Sequence, residues 1–288
     1  MITLRLKDCT LVVAPESGGA TAGWTHGATR LLRMPLSAAV LHGDVHGMAC
    51  FPLLPYANRI GQARFDWDGR PYQLRRNIPG QPHALHGVGW ARPWQVEALT
   101  DTAIRLSLRH DPVGEAAADW PFAFTAEQRI ALLPEGMRIT LALTSAHDGP
   151  APAGLGLHPY FPRGTGATLR FAADGVWRND ATVLPHERTA IPPEWDHAAG
   201  QAIGSTALDN CFTGWPRRAA MAWDTHKIAI EADVLFDHLQ VYTPPGQDFF
   251  AVEPVSHAPD AINRPGPDGM RILAHGETLS GSVTFRME

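Results

Sequence analysis

Four polar clusters in this chain set ionisable side chains beside turn-formers and aromatic rings, where a strand would hand over to a loop. The first is Asn58-Arg59-Ile60, which follows the apolar run from Phe51 to Tyr56. A guanidinium fixed there can hold a hydroxyl or ether oxygen, although a structural ion pair is the commoner role for such an arginine. The second is His83-Ala84-Leu85-His86-Gly87, and the third is Gly156-Leu157-His158-Pro159-Tyr160-Phe161. A neutral imidazole gives or takes a proton near neutral pH. Most histidines are structural, and His158 stands apart from them because Pro159 stiffens the chain after it and two rings adjoin it. In the fourth cluster, Val252-Glu253-Pro254 precedes Pro259-Asp260-Ala261-Ile262-Asn263. Glu253 interrupts an apolar run, which predicts a carboxyl at a strand end, short of water, and suited either to general-base work or to a buried structural hydrogen bond. Asp209-Asn210 offers further acceptors for hydroxyl groups, or simply a turn.

The same side chains admit a metal reading, because His83, His86, His158 and Glu253 are nitrogen and oxygen ligands of the kind zinc and iron take. The His-x-x-His spacing sits among Pro and Gly, not on a helix, and lacks the His-Glu-x-x-His pattern, so no metal or cofactor is expected. The sequence contains no GxxxxGK[ST] loop, GxGxxG fingerprint or GxSxG elbow, which argues against nucleotide-dependent enzymes and serine hydrolases. A net charge of -5 over 288 residues, with no basic run longer than Arg75-Arg76 or Arg217-Arg218, gives no footprint for nucleic acid. No apolar stretch approaches the roughly 18 residues that cross a bilayer, and Met1 to Ala14 alternates where a leader would be continuously apolar. A cytoplasmic protein with no membrane partner is expected. Cys9, Cys50 and Cys211 lack metal or redox spacing and read as reduced thiols.

Positioning these clusters falls to β-strands. In Ile104–Arg109 and Met137–Leu143 the apolar residues recur at every second position, the period of a half-buried strand. Similar runs occur at Thr3–Lys7, Phe122–Ile130, Thr168–Phe171, Lys227–Glu231, Leu239–Thr243 and Ser282–Arg286, each bounded by turn-formers. Asp68-Gly69 predicts a tight hairpin, since both residues tolerate positive φ. Pro134-Glu135-Gly136 predicts another. Helical periodicity is absent, and the strands are spread evenly, which predicts an all-β fold in which residues 1–288 form a single large antiparallel β-sandwich domain. The 25 Pro and 27 Gly imply long ordered loops, where such folds carry their sites.

Taken in order, Asn58-Arg59-Ile60, Leu85-His86-Gly87, His158-Pro159-Tyr160-Phe161, Asp209-Asn210-Cys211-Phe212 and Glu253-Pro254 with Pro259–Asn263 resemble the galactose mutarotase (aldose 1-epimerase) family. The resemblance extends from about Leu31 to Phe285. It implies a galactose mutarotase-like supersandwich with an open cleft and a small-molecule sugar as substrate. By motif, Glu253 takes the role of general base on the anomeric hydroxyl and His158 that of acid on the ring oxygen. His86 supplies a second hydrogen bond, while Arg59, Asp209 and Asn58 bind and position the substrate. A carboxylate already ionised at neutral pH and a histidine with pKa near 6.5 suit this chemistry without a cofactor. The stretch Pro82-His83-Ala84-Leu85 departs from the Asn-rich form of galactose-specific members. Trp90, Trp94, Trp177 and Trp215 offer rings to stack on a sugar or to fill a core. Two alternatives share this fold: a hexose-6-phosphate 1-epimerase, with cations from Arg75-Arg76, Arg163 or Arg217-Arg218, and a non-catalytic sugar-binding module. Members of the family occur as monomers and as homodimers.

Overall fold

A computed structural model describes residues 1–35, 44–204, 206–264 and 268–288. Two large sheets dominate, one of 11 and one of 9 strands. The first runs, in spatial order, Ile2–Leu6, Cys9–Ala14, Ala20–His26, Cys50–Leu53, Gly156–Pro162, Phe249–Val255, His238–Tyr242, Asp209–Thr213, Gly175–Asn179 and Pro185–Thr189, with Thr29–Arg30 as a side branch. The second is built around Ala103–His110, Phe124–Leu133, Gly136–Ser145, Thr278–Met287 and Lys227–Ala232. All pairings within both sheets are antiparallel. Helical structure among the described residues is confined to short 3-10 turns.

Every strand read from alternation is present, with ends shifted by a few residues. Asp68 and Gly69 have φ of 49° and 71° and join Arg64–Trp67 to Arg70–Gln73 as a two-residue hairpin. The other hairpin turns on Pro134-Glu135, because Gly136 already pairs with Leu133. Gly136 is needed for a different reason: a Cβ there would lie 1.9 Å from the Phe285 carbonyl oxygen of the neighbouring strand.

Period-two alternation gives the first sheet two apolar faces. Leu157, Phe161, Phe250, Val252, Leu239 and Val241 face the core shared with the second sheet. On the opposite face Phe51, Leu53, Tyr160, Ala251 and Val255 join a second apolar cluster with Val45, Met48 and Trp90, which comes from connecting segments. Covering that second face by loops is what makes a sheltered site on it possible.

Candidate active site

The site is built from one row of cross-strand neighbours. Gly156 pairs with Val255 and Tyr160 with Ala251, which sets His158 opposite Glu253. Gln240 is opposite Glu253 on the other side, Cys211 is opposite Gln240, and Phe51 is opposite His158. Directly opposed side chains in an antiparallel sheet share a face, with Cβ atoms about 5 Å apart. His158 Nε2 accordingly lies 3.3 Å from Glu253 Oε1. Glu253 is inside its strand and 2% exposed, not at the strand end that its apolar neighbours suggested.

Two polar atoms of this pair are buried without a protein partner, His158 Nδ1 and Glu253 Oε2. Such atoms are rare in native structures and mark places where a ligand or water completes the bonding. Burial, reinforced by the Asp209 charge and opposed by Arg59, pushes the Glu253 carboxyl well above the usual carboxylate range. Burial, with the nearby imidazoles of His86 and His46, pushes His158 well below its usual value. Desolvation thus reverses the protonation states expected from the sequence: each group favours its neutral form. The pair still holds one proton, and a shift of that proton across 3.3 Å converts the neutral pair into carboxylate and imidazolium.

The loops above the sheet bring the remaining groups. Asn58 donates its backbone N–H to His86 Nδ1 at 3.2 Å, and His86 donates its own N–H to the Asn58 carbonyl at 2.8 Å. Both residues have left-handed backbones, with φ of 59° and 62°. That conformation is uncommon outside glycine and is held here by the reciprocal bonds. Because His86 Nδ1 accepts a hydrogen bond, its proton lies on Nε2. Burial, helped by the charges of His46 and Arg59, lowers its pKa to about 3, so His86 serves the cleft as a neutral donor. Asn58 Oδ1 accepts from the Arg59 N–H and from Arg59 Nη1 at 2.9 and 3.2 Å. Arg59 Nη2 then reaches Asp209 Oδ2 at 3.0 Å, while Gln240 Nε2 donates to Asp209 Oδ1 at 2.7 Å. The arginine and the aspartate therefore present a neutralised, oriented pair.

Asn58, Arg59, His86, His158, Asp209 and Glu253 line one cleft of about 240 Å³. This lies below the roughly 300–1,000 Å³ of drug-sized sites and suits a ligand about the size of one sugar ring. Tyr160, one of the rings that adjoin His158 in the sequence, is a cleft wall, whereas the sequence reading missed His46, Tyr242 and Gln81, which share that lining, and Gln240 behind them. No motif announces them. Gln240 and Tyr242 sit at alternate positions of an ordinary strand.

Other expected groups are placed elsewhere. His83 accepts from the Gln62 N–H at Nδ1 and meets the Thr182 carbonyl at Nε2, so both nitrogens are occupied by backbone and the metal set drawn from the sequence loses a member. Among the described residues no three His, Cys, Asp or Glu side chains gather as ligands. Trp94 and Trp215 are core residues whose indoles bond the Gly89 and Phe236 carbonyls. Trp90 bonds the Gly87 carbonyl behind the cleft, and Trp177 lies under Arg264. None of the four lines the cleft. Arg75 pairs with Asp119 and Glu115, Arg218 with Glu288, and Arg163 donates to two carbonyls. No helix among the described residues is long and apolar enough to cross a membrane.

A two-sheet β-supersandwich with a carboxyl–imidazole pair on its loop-covered face defines a galactose mutarotase-like fold. The chain belongs to the aldose 1-epimerase family, whose family model matches residues 1–286. The uncharacterized protein YphB of Escherichia coli K12 is 30% identical over 288 residues, covering 95% of this chain and 94% of that one. A crystal structure from E. coli K12, described only provisionally as an aldose 1-epimerase, shares 30% identity and superposes with a TM-score of 0.90 over 99% of this chain and 98% of that one. A galactose mutarotase-like protein of Clostridium acetobutylicum, at 17% identity, has the same fold, with a TM-score of 0.88 over 99% of this chain and 94% of that one.

Proposed function

We propose that this protein is an aldose 1-epimerase that interconverts the α and β anomers of a free aldose. The observation that carries the reading is the His158–Glu253 pair at 3.3 Å, buried in a cleft with one unpartnered polar atom on each side chain. Glu253, as carboxylate, takes the proton of the anomeric hydroxyl while His158, as imidazolium, protonates the ring oxygen. The bond from C1 to the ring oxygen breaks and an open-chain aldehyde forms. Rotation about C1–C2 presents the other face of the carbonyl. On closure Glu253 returns its proton to the carbonyl oxygen and His158 takes one from the C5 hydroxyl, so the pair ends with the single proton it began with.

Sugar hydroxyls that donate to Glu253 Oε2 favour the carboxylate form of the pair, because hydrogen bonds to a charged form stabilise it. His86 Nε2–H steadies oxygen atoms of the ring, and the Arg59–Asp209 pair binds hydroxyls with both charges already balanced. The test is proton NMR of freshly dissolved α-D-glucose and α-D-galactose, with the approach to anomeric equilibrium followed with and without protein. Acceleration should fall by about 10² to 10⁴ in each of the Glu253→Gln and His158→Asn variants, the usual contribution of one positioned acid or base. Undiminished exchange in Glu253→Gln would refute Glu253 as the base, and no acceleration by the wild type would leave a sugar-binding module.

A further inference from the structure

The order of side chains across the sheet gives the cleft a direction. One face presents Cys211, Gln240, Glu253, His158 and Phe51 in sequence, each the cross-strand neighbour of the next. With the anomeric hydroxyl at Glu253 and the ring oxygen at His158, the pyranose ring lies along this row. Beyond the ring oxygen the next ring atom is C5, so its substituent extends past His158 toward Phe51. C2 and its hydroxyl extend the other way, past Glu253 toward Gln240, Asp209 and Arg59.

His46 stands at the Phe51 end. Its ring meets Phe51 edge-on at 5.7 Å and packs on Trp90 at 4.6 Å. It lines the cleft, and its Nε2 is buried without a protein partner. The main chain is fixed from two sides: His46 N–H donates to Asp44 Oδ1 at 3.1 Å, and Arg33 Nη2 donates to the His46 and Met48 carbonyls. The Arg33 guanidinium itself is stacked on Tyr160 at 3.7 Å and on Phe249 at 4.6 Å. A held imidazole with an unused nitrogen, facing a ligand cleft, is a preorganised hydrogen-bonding group.

We infer that His46, its ring backed by Phe51 and Trp90, determines specificity by hydrogen-bonding the substituent on C5 of the sugar. The inference rests on the epimerase reading for the orientation of the ring. Burial lowers the His46 pKa, so the group is neutral at neutral pH. One neutral imidazole, with the neighbouring Arg33 guanidinium already committed to the His46 and Met48 carbonyls, fits a hydroxymethyl group better than a carboxylate or phosphate.

D-Glucose and D-xylose test this, since they match from C1 to C4 and differ by the hydroxymethyl on C5. The ratio of kcat/KM for the two sugars is measured in wild type, His46→Phe and His46→Gln. His46→Phe should lose about five- to twentyfold on glucose, the usual effect of one lost hydrogen bond, with xylose changed less than about twofold on the same scale. His46→Gln, which keeps a donor and an acceptor, should recover part of the glucose rate. Equal losses on both sugars would overturn the inference and assign His46 a structural role. Should wild type accelerate neither sugar, the epimerase reading falls, and calorimetric binding of the same sugars decides about His46. Selective weakening of glucose by His46→Phe would then uphold the subsite, and unselective or absent binding would overturn it.

Discussion

Burying Glu253 costs stability at neutral pH, because the unfolded chain ionises this carboxyl freely whereas the folded chain resists its charge. The sign follows from the direction of the shift: burial raises the folded pKa of Glu253 above its unfolded value of about 4.3. Stability is therefore full below that unfolded pKa and is lost as pH rises toward the folded one. Glu253→Gln removes the ionisation and keeps the shape, so the variant should be more stable than wild type at pH 8 and nearly equal at pH 4. A gain of about 1 kcal/mol or more corresponds to a few degrees in a chain of this size. Melting curves of both proteins at the two pH values check it, and a variant less stable at pH 8 would mean that the carboxylate is held by partners the free protein already supplies. Functional groups that oppose folding stability are common in active sites.

At the scale of elements, the segment that carries Asn58 and Arg59 is held by side chains more than by sheet. Ala57 N–H donates to His257 Nε2 at 3.1 Å, Asn58 N–H to His86 Nδ1, Gly61 N–H to Asp260 Oδ1 at 2.7 Å and Gln62 N–H to His83 Nδ1 at 3.1 Å. Asp260 N–H also returns to the Arg59 carbonyl, which gives the Pro259–Asn263 motif its work. Three of these acceptors are imidazoles, and each must be unprotonated at the accepting nitrogen. Burial lowers the pKa of His257 to about 4, below the unfolded value of about 6.5, so its contribution is present above that value and is lost as pH falls toward 4. His257→Ala leaves the Ala57 N–H without its acceptor and should cost about 1–3 kcal/mol at pH 7, with less difference from wild type at pH 4. Urea denaturation at both pH values measures this. A raised KM with little change in kcat should accompany it if the Arg59 loop loosens; an unchanged stability at pH 7 would show that another acceptor takes over.

These supports explain what the sequence made legible and what it hid. Alternation revealed the strands, because side-chain period two follows from backbone geometry wherever one face is buried. Short motifs revealed the residues that the fold gathers in one cleft, because turn-formers mark the loops that carry Arg59 and His86, and Pro159 and Pro254 mark the strands that carry His158 and Glu253. Alternation also says which residues share a face, but not whether that face is covered. Gln240 and Tyr242 therefore read as outward polar positions of the His238–Tyr242 strand, whereas loops cover that side of the sheet and Gln240 is 2% exposed. His46 was hidden for a related reason: it reaches the cleft through packing on Phe51 and Trp90, contacts between distant parts of the chain that no local spacing encodes.

For the whole molecule, the distribution of arginines bears on the substrate. A sugar phosphate needs cations at one end of the cleft, and a phosphate dianion is poorly served by guanidinium groups already committed elsewhere. Arg59 is neutralised by Asp209 at 3.0 Å. Arg75, Arg163 and Arg218 are engaged by carboxylates or carbonyls outside the cleft lining, and Arg33 lies against the Tyr160 and Phe249 rings with its Nη2 on carbonyls. In the ring orientation proposed above, a phosphorylated C6 would lie beside the neutral imidazole of His46, which is backed by Phe51 and Trp90. D-Glucose should therefore exceed D-glucose 6-phosphate in kcat/KM by at least about tenfold, the effect of roughly 1.4 kcal/mol of unbalanced burial. Anomer exchange of both compounds under identical conditions measures the ratio. A preference for the phosphate would transfer the assignment to a hexose-6-phosphate 1-epimerase.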